Sequence, residues 1–281
     1  MESEMEYDER QYIEGMLERT AKYFSSSEIN RVRESTFAIC GMGGVGSITV
    51  ELFARWGIKK FKLLDKDKYD YSNLNRQLFA KHDTIGRWKV EVAAERIRDI
   101  NPFVEKIDTF QVRIDNQNVK DFVSGSNIII QTGDSPSCKI IYSEARKEKV
   151  PLVNGYCYPV GAYVQTYDFR NTDCQTFIEK MYDHFKWKGK KLTEMSPEEL
   201  DKWDKQLMHA PAATIGFVTN LTGCLIGTEA IKLLTGKGKV CHYPKRIDLN
   251  AFDLTLKVNN PGSMFNLSNY RKFFQMRRKM R

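Results

Sequence analysis

One stretch, Phe37 to Ser47, constrains this chain more than any other: FAICGMGGVGS. Phe37-Ala38-Ile39-Cys40 is a short apolar run of the kind that forms a buried strand. It breaks into Gly41, Gly43, Gly44 and Gly46, and a helix-compatible run, Ile48 to Trp56, follows at once. Strand, glycine turn and helix in that order present free backbone N–H groups and the positive end of a helix to a phosphate. The turn alone implies a bound phosphate, with a dinucleotide as the default and ATP as the alternative.

The same alternation continues downstream. Lys60 to Asp65 reads as a second strand ending on an acid, about 20 residues beyond the glycine turn, where a doubly wound sheet sets a carboxylate against a ribose. A polar, amide-rich segment, Lys66 to Phe79, leads to an amphipathic helix at Val90 to Ile100, closed by Asn101-Pro102. Strands are predicted at Glu105–Val112, Ser126–Thr132 and Pro151–Asn154, with helices at Gln117–Phe122 and Ser137–Lys149 between them. Strands alternating with helices imply an α/β fold with a mostly parallel, doubly wound, Rossmann-like sheet and ligands at the carboxyl ends of its strands.

After Asn154 the pattern changes. Gly155 to Asp168 ends in alternating Tyr163-Val164-Gln165-Thr166-Tyr167, which predicts an antiparallel strand or hairpin. Residues 170–210 are polar and charged and read as a crossover insertion over the site. Residues 212–234 form the most apolar long run, read as a buried central helix closed by Gly236. Arg246 to Val258 supplies one or two late strands. Ahead of the first strand, residues 1–35 predict one or two short helices, with a cap at Ser25-Ser26-Ser27-Glu28.

Composition narrows the class. Of 281 residues, 41% are hydrophobic, enough for a sizeable core. No run of about 18 apolar residues suggests a membrane span, and the acidic, polar start lacks the pattern of a secretory leader. Six cysteines are scattered with no CxxC pair, which suggests reduced thiols and a cytoplasmic location. The formal charge of +8 is partly local to YRKFFQMRRKMR at residues 270–281, a basic tail with interleaved aromatics that reads as a solvated amphipathic helix, or as a contact for nucleic acid such as tRNA or for an acidic protein.

The discriminating residues surround the glycine turn. Asn73, Arg76 and Gln77 bring amide and guanidinium donors, and Arg76 can grip a phosphate with two N–H groups. Lys89 adds a second cation. Asp134, at the end of the fourth strand, can hold Mg²⁺ between two phosphates. Each residue alone has an ordinary reading as a surface charge or a turn. Two cations, an amide cluster and a metal acid together suit a site that cleaves a triphosphate, and a hydride-transfer site has no use for them.

GMGGVGS, Asp65, SNLNRQ at Ser72 to Gln77, IG-x-x-K at Ile85 to Lys89 and INP at Ile100 to Pro102 together resemble the ThiF/MoeB/HesA family of adenylating enzymes, relatives of the ubiquitin-activating enzymes. The resemblance runs from about residue 19 to 155 and more loosely through residue 236. It implies a single adenylation domain over residues 1–281 that uses Mg-ATP to convert a carboxylate to an acyl-adenylate with release of pyrophosphate. The implied acceptor is the C-terminal tail of a ubiquitin-like or sulfur-carrier protein, or a peptide. A small-molecule or tRNA-base carboxylate is the alternative, and a scaffold that binds nucleotide without catalysis is a further one.

By the same resemblance Gly41, Gly43, Gly44 and Gly46 line the nucleotide, Asp65 holds the ribose, and Asn73, Arg76, Gln77 and Lys89 contact the polyphosphate. Asp134 corresponds to the magnesium acid. Arg19, with Arg10 second, matches an arginine that reaches a partner's site in a homodimer. Cys174 lies on the crossover, where some members carry a thioester-forming cysteine, and it reads equally as such a nucleophile or as a passive thiol. The CxxC pairs that hold a structural zinc in many members are missing, so no such zinc is expected. Gln131, Ser135 and Lys139 stand where the family has an acid, an Asn and an Arg. Cys40 and Cys224 lie in apolar runs and read as core.

Overall fold

A computed structural model describes residues 8–134, 137–171 and 213–260, together with positions 190, 194–196, 198, 199 and 202. Two short helices come first, α1 (Glu9–Leu17) and α2 (Ser26–Arg33). The Ser25 side chain accepts from the Glu28 N–H while the Glu28 carboxylate accepts from the Ser25 N–H, a reciprocal cap that starts α2 where its sequence predicts. Ile13 and Leu17 bury one face of α1 against Ile29 of α2.

The strands are β1 (Thr36–Cys40), β2 (Lys60–Leu64), β3 (Lys106–Phe110), β4 (Ile128–Gln131), β5 (Leu152–Tyr158), β6 (Gly161–Tyr167), β7 (Arg246–Asn250) and β8 (Thr255–Asn259). They form one sheet in the order β3-β2-β1-β4-β5-β6-β7-β8. The first five are parallel and the last three continue antiparallel. The connecting helices are α3 (Gly44–Ala54), α4 (Lys89–Ile100), α5 (Val119–Val123), α6 (Ser137–Lys147) and α7 (Gly216–Thr235).

Side-chain alternation divides the core. Phe37 and Ile39 of β1 join Val50 and Phe53 of α3, Ala93 and Ile97 of α4 and Ile226 and Ala230 of α7 on one face. Ala38 and Cys40 join Phe122 of α5 and Ile140 and Ile141 of α6 on the other. A central parallel strand buried on both faces reads as a continuous apolar run, which is why β1 stands out in the sequence.

Some boundaries move. The helix after β1 starts at Gly44, not Ile48, so two of the four glycines belong to its first turn. The expected fifth strand runs on to Tyr158, because residues 155–158 pair with β6 as well. The apolar helix begins at Gly216, since Ile215 is extended. Gly236 closes it in the left-handed conformation, as its sequence predicts. Cys40 is buried as expected, but Cys224 is exposed. Val218, Thr222, Ile226 and Ala230 fill the inward face of α7, and Cys224 falls on the outward one with Phe217 and Leu221. This helix is the one described segment long and apolar enough to cross a membrane, and its inward face packs on α3, β5 and β6.

Candidate nucleotide site

The glycine turn is built by close approach. Gly41 has φ +89° and donates to the Leu64 carbonyl at 2.8 Å. A Cβ at Gly46 would lie 1.7 Å from the Gly41 oxygen, so the turn folds back tightly on the first turn of α3. Gly43 caps that helix with no side-chain hydrogen bond, so no side chain covers the first N–H groups, the kind of end that suits an anion. On the open side of Gly43 the nearest atom to an added Cβ is Gln77 Nε2, at 3.9 Å. Gln77 is buried and its Oε1 has no hydrogen-bond partner, an acceptor beside the turn that awaits a donor.

Asp65 follows β2 and is buried. Its Oδ2 accepts from the Met42 N–H at 2.7 Å and its Oδ1 from the Asp67 N–H at 2.8 Å, which ties the acid to the glycine turn. Burial raises its pKa, partly offset by the Lys89 ammonium and these two N–H groups. Lys89 is buried at the start of α4, with Nζ 3.5 Å from Asp67 Oδ2. Asn73 works locally: its Oδ1 accepts from the Asp70 N–H and closes the turn that precedes Arg76. Arg76 uses Nη1 to reach the Ser72 carbonyl (2.7 Å) and Asn75 Oδ1 (2.9 Å). Its own carbonyl accepts from Thr219 of α7. Two segments far apart in sequence thus meet beside the glycine turn.

Asp134 stands three residues past β4 and is exposed. Its relation to Arg76 is legible through Cys157 of β5. Burial raises the pKa of that thiol, Arg76 lowers it and Asp134 raises it. Tyr156 is likewise raised by burial first and Asp134 second. Both charges thus act through space on Cys157, which adds Tyr156 and Cys157 to the candidate residues. Sequence reading stopped that strand at Asn154 and missed both; the β5–β6 alternation was the signal that could have found them.

Other candidates lie elsewhere. Arg10 pairs with Glu14 on α1, and Arg19 is exposed just after that helix. The α1 side chains touch the space at Gly57, and the Tyr12 hydroxyl donates to the Ile100 carbonyl, so α1 sits at the amino ends of the strands. The glycine turn is at their carboxyl ends, so neither arginine joins this chain's own site. Cys174 and the basic tail lie outside the described residues.

The groups on these segments are an uncapped helix end, a buried acid after β2, two cations and an exposed acid after β4. They suit a nucleoside triphosphate. Residues 17–267 match the ThiF family. The chain is 26% identical over 248 residues to the SAMP-activating enzyme E1 of Haloferax volcanii, covering 86% of this chain and 84% of that one. It is 29% identical over 245 residues to the tRNA threonylcarbamoyladenosine dehydratase of Escherichia coli, covering 82% and 81%. Among solved structures, E. coli MccB with AMPCPP and the peptide MccA aligns with a TM-score of 0.65 at 20% identity, over 85% of this chain and 67% of that one.

Proposed function

The chain belongs to the ThiF family, and from that premise we propose that it is an ATP-dependent adenylyltransferase acting on a carboxylate. A carboxylate oxygen attacks the α-phosphorus of ATP, the bond from that phosphorus to the bridging oxygen breaks, and pyrophosphate leaves with the electron pair. The products are an acyl-adenylate and pyrophosphate. The observation that carries the reading is that three chain segments close on the glycine turn: an added Cβ at Gly44 would lie 3.2 Å from the Arg76 carbonyl oxygen, one at Gly41 would lie 2.8 Å from the Gly133 nitrogen, and Asp65 accepts from the Met42 N–H.

In this reading α3 and the turn receive phosphate oxygens, Asp65 receives ribose hydroxyls, and Arg76 and Lys89 offset the charge that gathers at the α-phosphorus. The described residues hold no cluster of three metal-ligating side chains. Mg²⁺ keeps several waters and is held by one or two carboxylates plus substrate phosphates; in this reading Asp134 would be the protein ligand. A bound ion would supply neutralisation of the phosphate charge.

The acceptor is proposed to be the C-terminal tail of a ubiquitin-like or sulfur-carrier protein, or a peptide. The archaeal SAMP-activating relative and the fold shared with MccB support that choice. A carboxylated tRNA base is the second candidate, supported by the dehydratase relative. We place the enzyme in the cytoplasm as a homodimer.

Exchange of labelled pyrophosphate into ATP, run against carrier proteins, peptides and modified tRNA, tests the reading. At least one acceptor supports exchange, and Asp134→Ala abolishes it while its unfolding temperature holds. Normal exchange in Asp134→Ala sinks the role of Asp134. Tight NAD binding without ATP binding would mark an oxidoreductase.

A further inference from the structure

The three residues after β4 are outside the sheet ladder, yet they carry Asp134. What holds them is visible in the hydrogen bonds. The Thr132 N–H donates to the Cys40 carbonyl at 2.9 Å. The Thr132 hydroxyl lies 2.8 Å from the same carbonyl and 3.0 Å from the carbonyl of Gly41, so its one proton is shared between two successive acceptors of the glycine turn. Just before it, Gln131 is buried and its Nε2 donates to the Gly133 carbonyl at 2.7 Å. Just after it, Gly133 packs so closely on Cys40 that an added Cβ would lie 2.8 Å from the sulfur.

The Gly41 carbonyl is the telling partner. It is jammed between Gly46 of α3 and Thr132, in the part of the turn expected to face phosphate. A hydroxyl that grips it from the Asp134 loop fixes one distance: that between the nucleotide-holding turn and the acid two residues on. A valine has the same shape and no proton to give.

We propose that Thr132 is a positioning residue that locks the Asp134 loop to the glycine turn and so sets the acid against the phosphates of bound ATP. The proposal rests on the reading of Asp134 as the acid that holds Mg²⁺. The Thr132 hydroxyl is engaged by the Cys40 and Gly41 carbonyls, so its proposed action is through Asp134. Its effect is on how strongly the metal helps ATP bind, more than on binding of the nucleotide itself.

The test uses the full chain, with ATP as probe. Calorimetry gives the Kd for ATP in EDTA and in excess magnesium, and the first divided by the second is the metal's contribution. Thr132→Val lowers that ratio about tenfold, the factor carried by one lost hydrogen bond to a fixed partner. Its Kd in EDTA stays within about threefold of wild type, since the turn and cations remain. Thr132→Ser, which keeps the hydroxyl, retains the wild-type ratio. If Thr132→Val does not fold, Thr132→Ala against Thr132→Ser gives the same contrast.

A ratio lost in Asp134→Asn but kept in Thr132→Val overturns the proposal alone. An equal loss in magnesium and in EDTA also overturns it, because it marks a merely structural role. A ratio unchanged in Asp134→Asn removes the reading of Asp134, and the proposal with it.

Discussion

Asp65 is held by two backbone N–H groups and faces Lys89, and burial still raises its pKa above the ordinary carboxylate value. The sign follows. A carboxyl that protonates more readily in the fold than in the unfolded chain adds stability at low pH, and that contribution is lost as pH rises through the folded value. Nucleotide binding in the proposed site runs the other way. With ribose hydroxyls donating to the ionised acid, as proposed, ATP affinity should fall as pH drops through the raised pKa, earlier than an ordinary aspartate would cause. Asp65→Asn should flatten that dependence and weaken ATP binding about tenfold at neutral pH, the range for a hydrogen bond to a charged group. ATP titrations from neutrality into the carboxylate range check it; an unchanged pH profile in the variant places the titration elsewhere.

Elements meet in this fold where side chains are missing. A Cβ at Gly155 of β5 would lie 2.3 Å from Ile226 Cδ1 of α7. Gly155→Ala should therefore cost about 1 to 3 kcal/mol by overpacking, and Ile226→Val, which removes that methyl, should recover part of it in urea unfolding. An additive double mutant would show that the contact does not decide the loss. The alternation of strand and helix, the Ser25 cap and the Gly236 stop were legible because each is written in local residue types. The β1 run and the turn after it carried the site's floor. Tyr156, Cys157 and Thr132 were not legible, since their roles come from pairing between strands remote in sequence. Cys224 misled for a related reason: an apolar helix does not announce which side faces outward until its partners are known. Asn73 was legible as a polar group near the phosphates, and the structure shows it closing its own turn.

At the scale of the molecule, an outward surface borders the site. Tyr71, Leu74 and Leu78 follow Asp65, and Phe217 and Leu221 lie on the start of α7. Asn75 Nδ2 donates to the Thr214 carbonyl at 3.5 Å, so these two segments are neighbours. Exposed apolar side chains clustered in this way mark an interaction surface, and they support the proposed homodimer. Phe217→Asp with Leu221→Asp should shift sedimentation from dimer to monomer at micromolar chain; a wild-type monomer would refute the assembly. Arg19, at the far end of its own sheet, could then act only in a partner's site, and Arg19→Ala should lower exchange without altering sedimentation.

The central claim is that a carboxylate oxygen becomes bonded to the α-phosphorus. An acceptor that supports exchange, labelled with heavy oxygen in its carboxylate, is incubated with ATP and the enzyme, and hydroxylamine then releases the acyl group. Mass spectrometry of the nucleotide product reads the outcome. The account predicts AMP carrying one heavy oxygen from the acceptor. Heavy oxygen in inorganic phosphate with ADP as the product, or none transferred at all, would contradict it.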